Sequence, residues 1–268
     1  MNSVALSLGP ITISWYSICI LLGIIFAGIV INKEAKKHNI SISFVSNLIF
    51  WCVIYGIAGA RIYYVLFNLD YYASAPMEII KVWNGGLAIH GGIIAGIITL
   101  IVYCRKYNVN ILKMMDIAVP GVILAQAFGR WGNFFNMEAH GSVVTRTFLE
   151  SLYLPEFIID GMYIEGCYYH PTFLYESLLC LIGFLIFLGF RRLKNAKTGN
   201  ITALYFIWYG IIRYFIESLR TDSLMLGNIK MAQLVSIIMV IIGIILFIIT
   251  RIKSSNYKTE GEIKDGKK

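Results

Sequence analysis

The chain has 268 residues, of which 58% are apolar and only 14% charged, and its mean hydropathy is +0.71. A soluble domain carries about a quarter charged residues, so aqueous globular classes, disorder and collagen are excluded and the composition points to a bilayer. The net charge of +8 and pI near 9.2 do not indicate nucleic acid, because the basic residues fall between apolar runs and form no stripe with interleaved aromatics.

Taken in chain order, the first ten residues contain no Lys or Arg, so the basic region of a cleavable signal peptide is missing and the first apolar run is expected in the mature protein. Seven runs are long enough, at about 20 residues, to span a hydrocarbon core: Ile11–Ile31, Phe44–Phe67, Leu87–Cys104, Met114–Phe135, Thr172–Phe190, Ile201–Leu219 and Met231–Thr250. They are unbroken rather than alternating, which excludes a transmembrane barrel and leaves helices that satisfy their own backbone groups. The expected fold is therefore all-α, a seven-helix polytopic membrane bundle over residues 1–252. Between the second and third runs Pro76 opens a short helix through Lys81 and Val82, along the headgroups, before an Asn84-Gly85-Gly86 turn. An extracytoplasmic cap is expected at 136–170, with a β-hairpin in which Asp160-Gly161 joins Phe157-Ile158-Ile159 to Met162-Tyr163-Ile164. The Lys-rich tail 253–268 reads as disordered and cytoplasmic. Cys19, Cys52, Cys104, Cys167 and Cys180 are isolated, without metal-ligand or disulfide spacing.

Lys and Arg between the runs set the orientation. Sixteen fall on the side of the 32–43, 105–113 and 191–200 loops and the tail, against four on the other, Lys81, Arg146, Arg220 and Lys230. That bias predicts an external N-terminus and a cytoplasmic C-terminus. With this orientation Arg61, His90, Arg130 with Asn133, Tyr175 with Glu176, and Arg213 with Glu217 and Arg220 all fall at one level beneath the external leaflet, whereas Asp116 lies near the cytoplasmic face. Ionisable groups in lipid need a partner or a wet cavity, so this convergence from five helices marks a candidate site. Arg213, Glu217 and Arg220 stand at i, i+4 and i+7 on one helix face, and Arg130 and Asn133 at i and i+3. Arginine at all three buried positions suits bidentate recognition of an anion, and in a lipid leaflet the commonest anion is a phosphate. Arg61 reads as a snorkelling anchor as readily as a ligand, His90 also reads as a structural histidine, and Glu176 as a simple partner for a bundle arginine.

The stretch Gly129-Arg-Trp-Gly-Asn-Phe-Phe-Asn-Met-Glu-Ala-His-Gly141 resembles the signature of the prolipoprotein diacylglyceryl transferase family. Trp15-Tyr16, Gly59-Ala-Arg-Ile-Tyr-Tyr64, Gly85-Gly-Leu-Ala-Ile-His-Gly-Gly92, His170-Pro171 with Tyr175-Glu176, and Arg213 through Glu217 to Arg220 extend the likeness in family order. The resemblance implies transfer of the diacylglyceryl group of phosphatidylglycerol to the lipobox cysteine of a prolipoprotein signal peptide, in a bacterial cytoplasmic membrane. A thioether forms and glycerol phosphate leaves. It also implies that Arg130 and Arg213 engage the lipid headgroup, that His90 matches the family histidine proposed as base, and that Tyr16, Asn133, Asn136, Glu138, Gly141, Glu217 and Arg220 match other functional positions. Residues 142–169 fit the family only loosely.

The residues themselves suit this chemistry. A thiol that attacks a glycerol carbon displaces a phosphodiester oxygen, and a guanidinium pair stabilises the charge that develops there. The thiol, with an ordinary pKa of about 8.5, needs a base or a positive field, so His90 is either the base or an orienting group. His140 is a weaker substitute base. No metal or cofactor is expected, because His90, His140 and His170 are not grouped with carboxylates at ligand spacing. The alternatives are an anion transporter, which would hold its charges near the midplane, and another phospholipid-headgroup enzyme, which would need an aspartate-rich metal site or a phosphate-accepting nucleophile.

Overall fold

A computed structural model describes residues 4–8, 11–221, 225–227, 229–253 and 257. β1 (Val4–Leu8) and β2 (Ile11–Ser14) form an antiparallel pair that leads into α1 (Trp15–Lys37). Next come α2 (Ile42–Leu66), the short α3 (Leu69–Ser74), two 3-10 turns (Pro76–Ile80 and Val82–Asn84), α4 (Ile89–Lys106) and α5 (Ile111–Phe135). A three-stranded antiparallel sheet follows, made of β3 (Val143–Val144), β4 (Tyr163–Ile164) and β5 (Cys167–Tyr169) with β5 central; α6 (Arg146–Ser151) and α7 (Glu156–Gly161) connect β3 to β4. The chain continues through α8 (Thr172–Phe190), α9 (Asn200–Leu219), the β6 (Met225–Leu226) and β7 (Ile229–Lys230) pair, and α10 (Met231–Lys253). The described residues divide into two compact units, one holding those up to Ile31 and from Met115 to Tyr257, the other Asn32–Met114.

Each of the seven expected runs contains a long helix. Six of these, α1, α2, α4, α5, α8 and α10, are long and apolar enough to cross a membrane, consistent with a polytopic helical membrane protein. α9 is not among the six, because Arg213, Glu217 and four tyrosine and tryptophan side chains dilute its aliphatic residues. On α10, Ile241, Ile244, Ile245 and Ile248 are all exposed, a face suited to lipid rather than water.

Lipid is as apolar as leucine, so these helices are held by close packing of small residues rather than by a hydrophobic drive. In the first unit, Gly132, Gly129, Ala125 and Gly121 of α5 run antiparallel against Tyr16, Ile20, Gly23 and Ala27 of α1. α9 and α10 interlock through Gly210, whose added Cβ would lie 2.9 Å from the Ser236 carbonyl, and Gly243, whose Cβ would lie 2.9 Å from the Ala203 carbonyl. In the second unit, Gly59 of α2 and Gly91 of α4 meet backbone to backbone, and the Ala88 amide donates to the Ala60 carbonyl at 3.0 Å.

Two expectations change. The first apolar run does not begin as helix: Ile11-Thr12-Ile13-Ser14 alternates with period two and is a strand, and α1 starts only at Trp15, where the Ser14 hydroxyl accepts the Ser17 amide at 3.2 Å. The hairpin is displaced along the chain. Residues 156–161 are helical, because Ile158, Ile159 and Met162 all enter one buried cluster with Phe134, Leu149 and Phe173, which adjacent strand residues on opposite faces could not do. The two-residue turn falls instead at Glu165 and Gly166, both with positive φ, between β4 and β5. The tail read as disordered lies outside the described residues except for Lys253, which ends α10, and Tyr257, which is buried and donates its amide to the Ala196 carbonyl at 2.8 Å. The short helix opened by Pro76 is present as the 3-10 turn Pro76–Ile80, followed by positive φ at Gly85 and Gly86.

Candidate functional site

The first unit gathers most of the sequence-selected residues around one carboxylate. Glu176, in the first turns of α8, is 2% exposed and stands between two guanidinium groups from other helices. Its Oε1 lies 3.1 Å from Arg130 Nη2, on α5, and its Oε2 3.4 Å from Arg213 Nη1, on α9. The Arg130 and Arg213 side chains are each 19% exposed, so they are more accessible than the carboxylate they share. The Tyr209 hydroxyl, one helical turn before Arg213, donates to Glu176 Oε1 at 3.2 Å and accepts from Arg130 Nη2 at 3.3 Å. Arg213 Nη2 pairs with Glu217 Oε2 at 2.7 Å, and Glu217 Oε2 lies 4.0 Å from Arg220 Nε. The spacing expected along this helix face is realised as a row, Arg130, Glu176, Arg213, Glu217 and Arg220, in which three positive groups meet two negative ones.

A polar lip adjoins Arg130. Its Nη1 donates to Asn133 Oδ1 at 3.3 Å; Asn133 Nδ2 donates to Glu138 Oε1 at 2.9 Å, and Asn136 Nδ2 reaches the same oxygen at 3.4 Å. Arg130 Nε is buried and has no hydrogen-bond partner among the described residues, so one donor of the cluster is unused. The Tyr16 ring packs against Gly132, where an added Cβ would come within 2.6 Å of it. Gly141 bridges to Arg220 in β fashion, and its amide donates to the His170 carbonyl at 3.1 Å. A Cβ there would meet the Cβ of His170 at 2.6 Å, so the close approach requires glycine. Beside the same stretch of α5 lies an apolar groove of about 340 Å³ lined by Trp15, Cys19, Leu22, Phe128, Trp131 and Leu181.

α9 is fixed at both ends. The buried Asp116 carboxylate accepts the amides of Gly199 at 2.6 Å and Thr202 at 2.8 Å, together with the Thr202 hydroxyl at 2.6 Å. A carboxylate there satisfies orphan N–H groups and complements the helix dipole. At the other end Lys230 Nζ donates to the carbonyls of Glu217 at 2.8 Å and Arg220 at 2.7 Å.

Two selected residues belong to the second unit. Arg61 is turned toward backbone acceptors and lines a cavity of about 290 Å³ with Tyr64, Tyr71 and Tyr72. It is 6% exposed, and its guanidinium donates to the carbonyls of Ile79 at 2.9 Å, Gly85 at 2.8 Å, Gly86 at 2.9 Å and Glu78, while stacking on Tyr72. It therefore shapes the loop that precedes α4. His90 stands exposed on the first turn of α4, with its ring 6.1 Å from that of Tyr63. His140 contacts its neighbour's carbonyl and the Tyr169 ring in the first unit, and burial pushes the imidazole pKa of the nearby His170 below its ordinary value.

Sequence reasoning left Glu176 as a possible partner and did not select Tyr209. Both lie on faces whose neighbours come from other helices, so helical spacing alone could not assign them. The available signal was the rarity of a carboxylate inside an apolar run.

A family model described as prolipoprotein diacylglyceryl transferase matches residues 3–249. A protein of Staphylococcus haemolyticus named phosphatidylglycerol–prolipoprotein diacylglyceryl transferase is 48% identical over 266 residues, 98% of this chain and 94% of that one. Identically named proteins of Staphylococcus saprophyticus and Staphylococcus aureus are 45% identical, over 98% of this chain and 95% of theirs, and 49% identical, over 94% and 90%.

Proposed function

Because the chain belongs to the prolipoprotein diacylglyceryl transferase family, we propose that Arg130 and Arg213 grip the phosphate of phosphatidylglycerol while a prolipoprotein cysteine displaces it. The observation that carries this reading is the sharing of Glu176 by guanidinium groups from α5 and α9, at 3.1 and 3.4 Å, which brings two anion-binding groups to one place. The sulfur of the lipobox cysteine forms a bond to the terminal glycerol carbon, the carbon–oxygen bond to phosphate breaks, and glycerol phosphate departs with the bonding pair. Negative charge grows on the phosphate as this happens, and arginines fixed in a low-dielectric site stabilise it more than they stabilise the ground state. The apolar groove along α5 supplies a surface for an acyl chain of the same lipid.

His90 removes the thiol proton or orients the thiol while the arginine field favours the thiolate. The rate of His90→Ala against pH separates these roles. A base is replaced as pH approaches the thiol pKa near 8.5, so the deficit shrinks there; an orienting group leaves a constant deficit. We further read α9 as a seventh crossing, since its charges are neutralised within the bundle, with the N-terminus outside and the C-terminus in the cytoplasm of a bacterial cell. A reporter fused after Lys268 should score cytoplasmic, and external placement would overturn that orientation. The reaction is tested with purified protein, phosphatidylglycerol and a lipobox peptide, by mass spectrometry of the peptide cysteine. Diacylglyceryl addition is expected, and an unmodified thiol beside an active relative would refute the assignment.

A further inference from the structure

The phosphate changes charge during the proposed reaction. Phosphatidylglycerol carries one negative charge as a phosphodiester. When the carbon–oxygen bond breaks with its electron pair, and the thiol proton passes to solvent, glycerol phosphate is left as a monoester whose second pKa is near 6, so it carries almost two. A site made only of arginines would hold this product more tightly than the substrate and would retain it. The row observed here is not made only of arginines. Glu176 is buried and shares its two oxygens between the more exposed Arg130 and Arg213.

We propose that Glu176 is a charge-balancing and positioning residue: it fixes the two guanidinium groups relative to each other and offsets one positive charge, so that the dianionic product is released. Along the row three guanidinium groups meet two carboxylates, and Glu138 stands on the adjoining lip, so the arginines do not present their full charge to a phosphate. Tyr209, donating to Glu176 Oε1 at 3.2 Å, helps to hold the carboxylate between the two guanidinium groups. The inference rests on the reading of the site given above.

Two substitutions separate the charge from the geometry. Glu176→Gln keeps the shape and removes the charge. Product inhibition by glycerol phosphate, and its binding by calorimetry without turnover, should then tighten about tenfold while turnover falls. Glu176→Asp keeps the charge but is one methylene too short to reach both guanidinium groups. Its turnover should fall at least about fivefold with glycerol phosphate affinity within about twofold of wild type. A merely structural role would lower the active fraction in both variants and would not tighten product binding in either. Unchanged or weaker glycerol phosphate binding by folded Glu176→Gln would overturn the proposal. If that variant does not fold, full turnover by Glu176→Asp, or product binding tightened as strongly as a lost charge demands, would overturn it. Wild-type protein that forms no thioether would instead refute the parent reading.

Discussion

Arg61 and the pair Arg130 and Arg213 invite comparison, being the same residue type in long apolar helices, all largely buried. Arg61 is surrounded by neutral acceptors: four backbone carbonyls take donors from every nitrogen of its guanidinium. Those carbonyls belong to the chain and cannot be exchanged for a ligand, so Arg61 closes a loop. Arg130 and Arg213 face carboxylates and a tyrosine hydroxyl and are partly exposed, whereas Arg61 is buried. Burial alone does not distinguish a ligand-binding arginine from a structural one. What differs between them is the kind of acceptor, backbone carbonyls for Arg61 and carboxylate side chains for the other two.

The comparison can be broken most decisively by removing the arginines. Arg130→Ala or Arg213→Ala should lower thioether formation by about 10²–10³-fold or more, measured by mass spectrometry of the peptide, with lysine restoring only part of the rate. Near-wild-type transfer by either alanine variant would remove that residue from the site. Arg61→Met should act chiefly on stability, because four carbonyls lose their donor. A loss of about 2–4 kcal/mol is expected, read as a lower melting temperature in detergent, with at most about a tenfold loss of activity per folded molecule. A folded but inactive Arg61→Met would place Arg61 with the other two. Asp116→Asn, which keeps the shape but weakens the cap on α9, should cost about 1–2 kcal/mol by the same melting assay. The smallest effect concerns His170. Burial lowers its pKa, so the folded state favours the neutral ring; above pH 6.5 neither state is protonated, and as pH falls below 6.5 the unfolded chain takes up the proton first. Melting temperature should therefore fall slightly between pH 7 and pH 5, and His170→Gln should flatten that slope.

Much of the frame was legible in the sequence because it is written in run length. Every apolar run of about 20 residues holds a helix, and Arg213, Glu217 and Arg220 share the face their spacing required. Where local signals competed, the sequence misled. Asp160-Gly161 carries good turn chemistry, but two adjacent isoleucines needed the same core, and burial in the Phe134 and Phe173 cluster overrode the turn. Ile11 to Ser14 was absorbed into a hydropathy run although its period is that of a strand. Partners across helices were not legible at all. Nothing near Asp116 signals that its carboxylate caps a helix beginning 84 residues later at Asn200, and nothing near Arg61 signals that its acceptors are carbonyls 17 to 25 residues away. Such pairings are set by tertiary packing, whereas composition and periodicity report only on neighbours in sequence.

The two-ended fastening of α9 has a mechanical consequence. Shifting this helix along its axis by one turn, about 5.4 Å, would break the amide and hydroxyl bonds to Asp116 and the carbonyl bonds to Lys230 together. Arg213 therefore rides on a stationary post about 30 Å tall, whose least apolar flank is tethered by ions rather than by lipid. A helix pinned at both ends carries its charged side chains at a set height, so the spacing between Arg213 and its partners on other helices is kept by the same bonds.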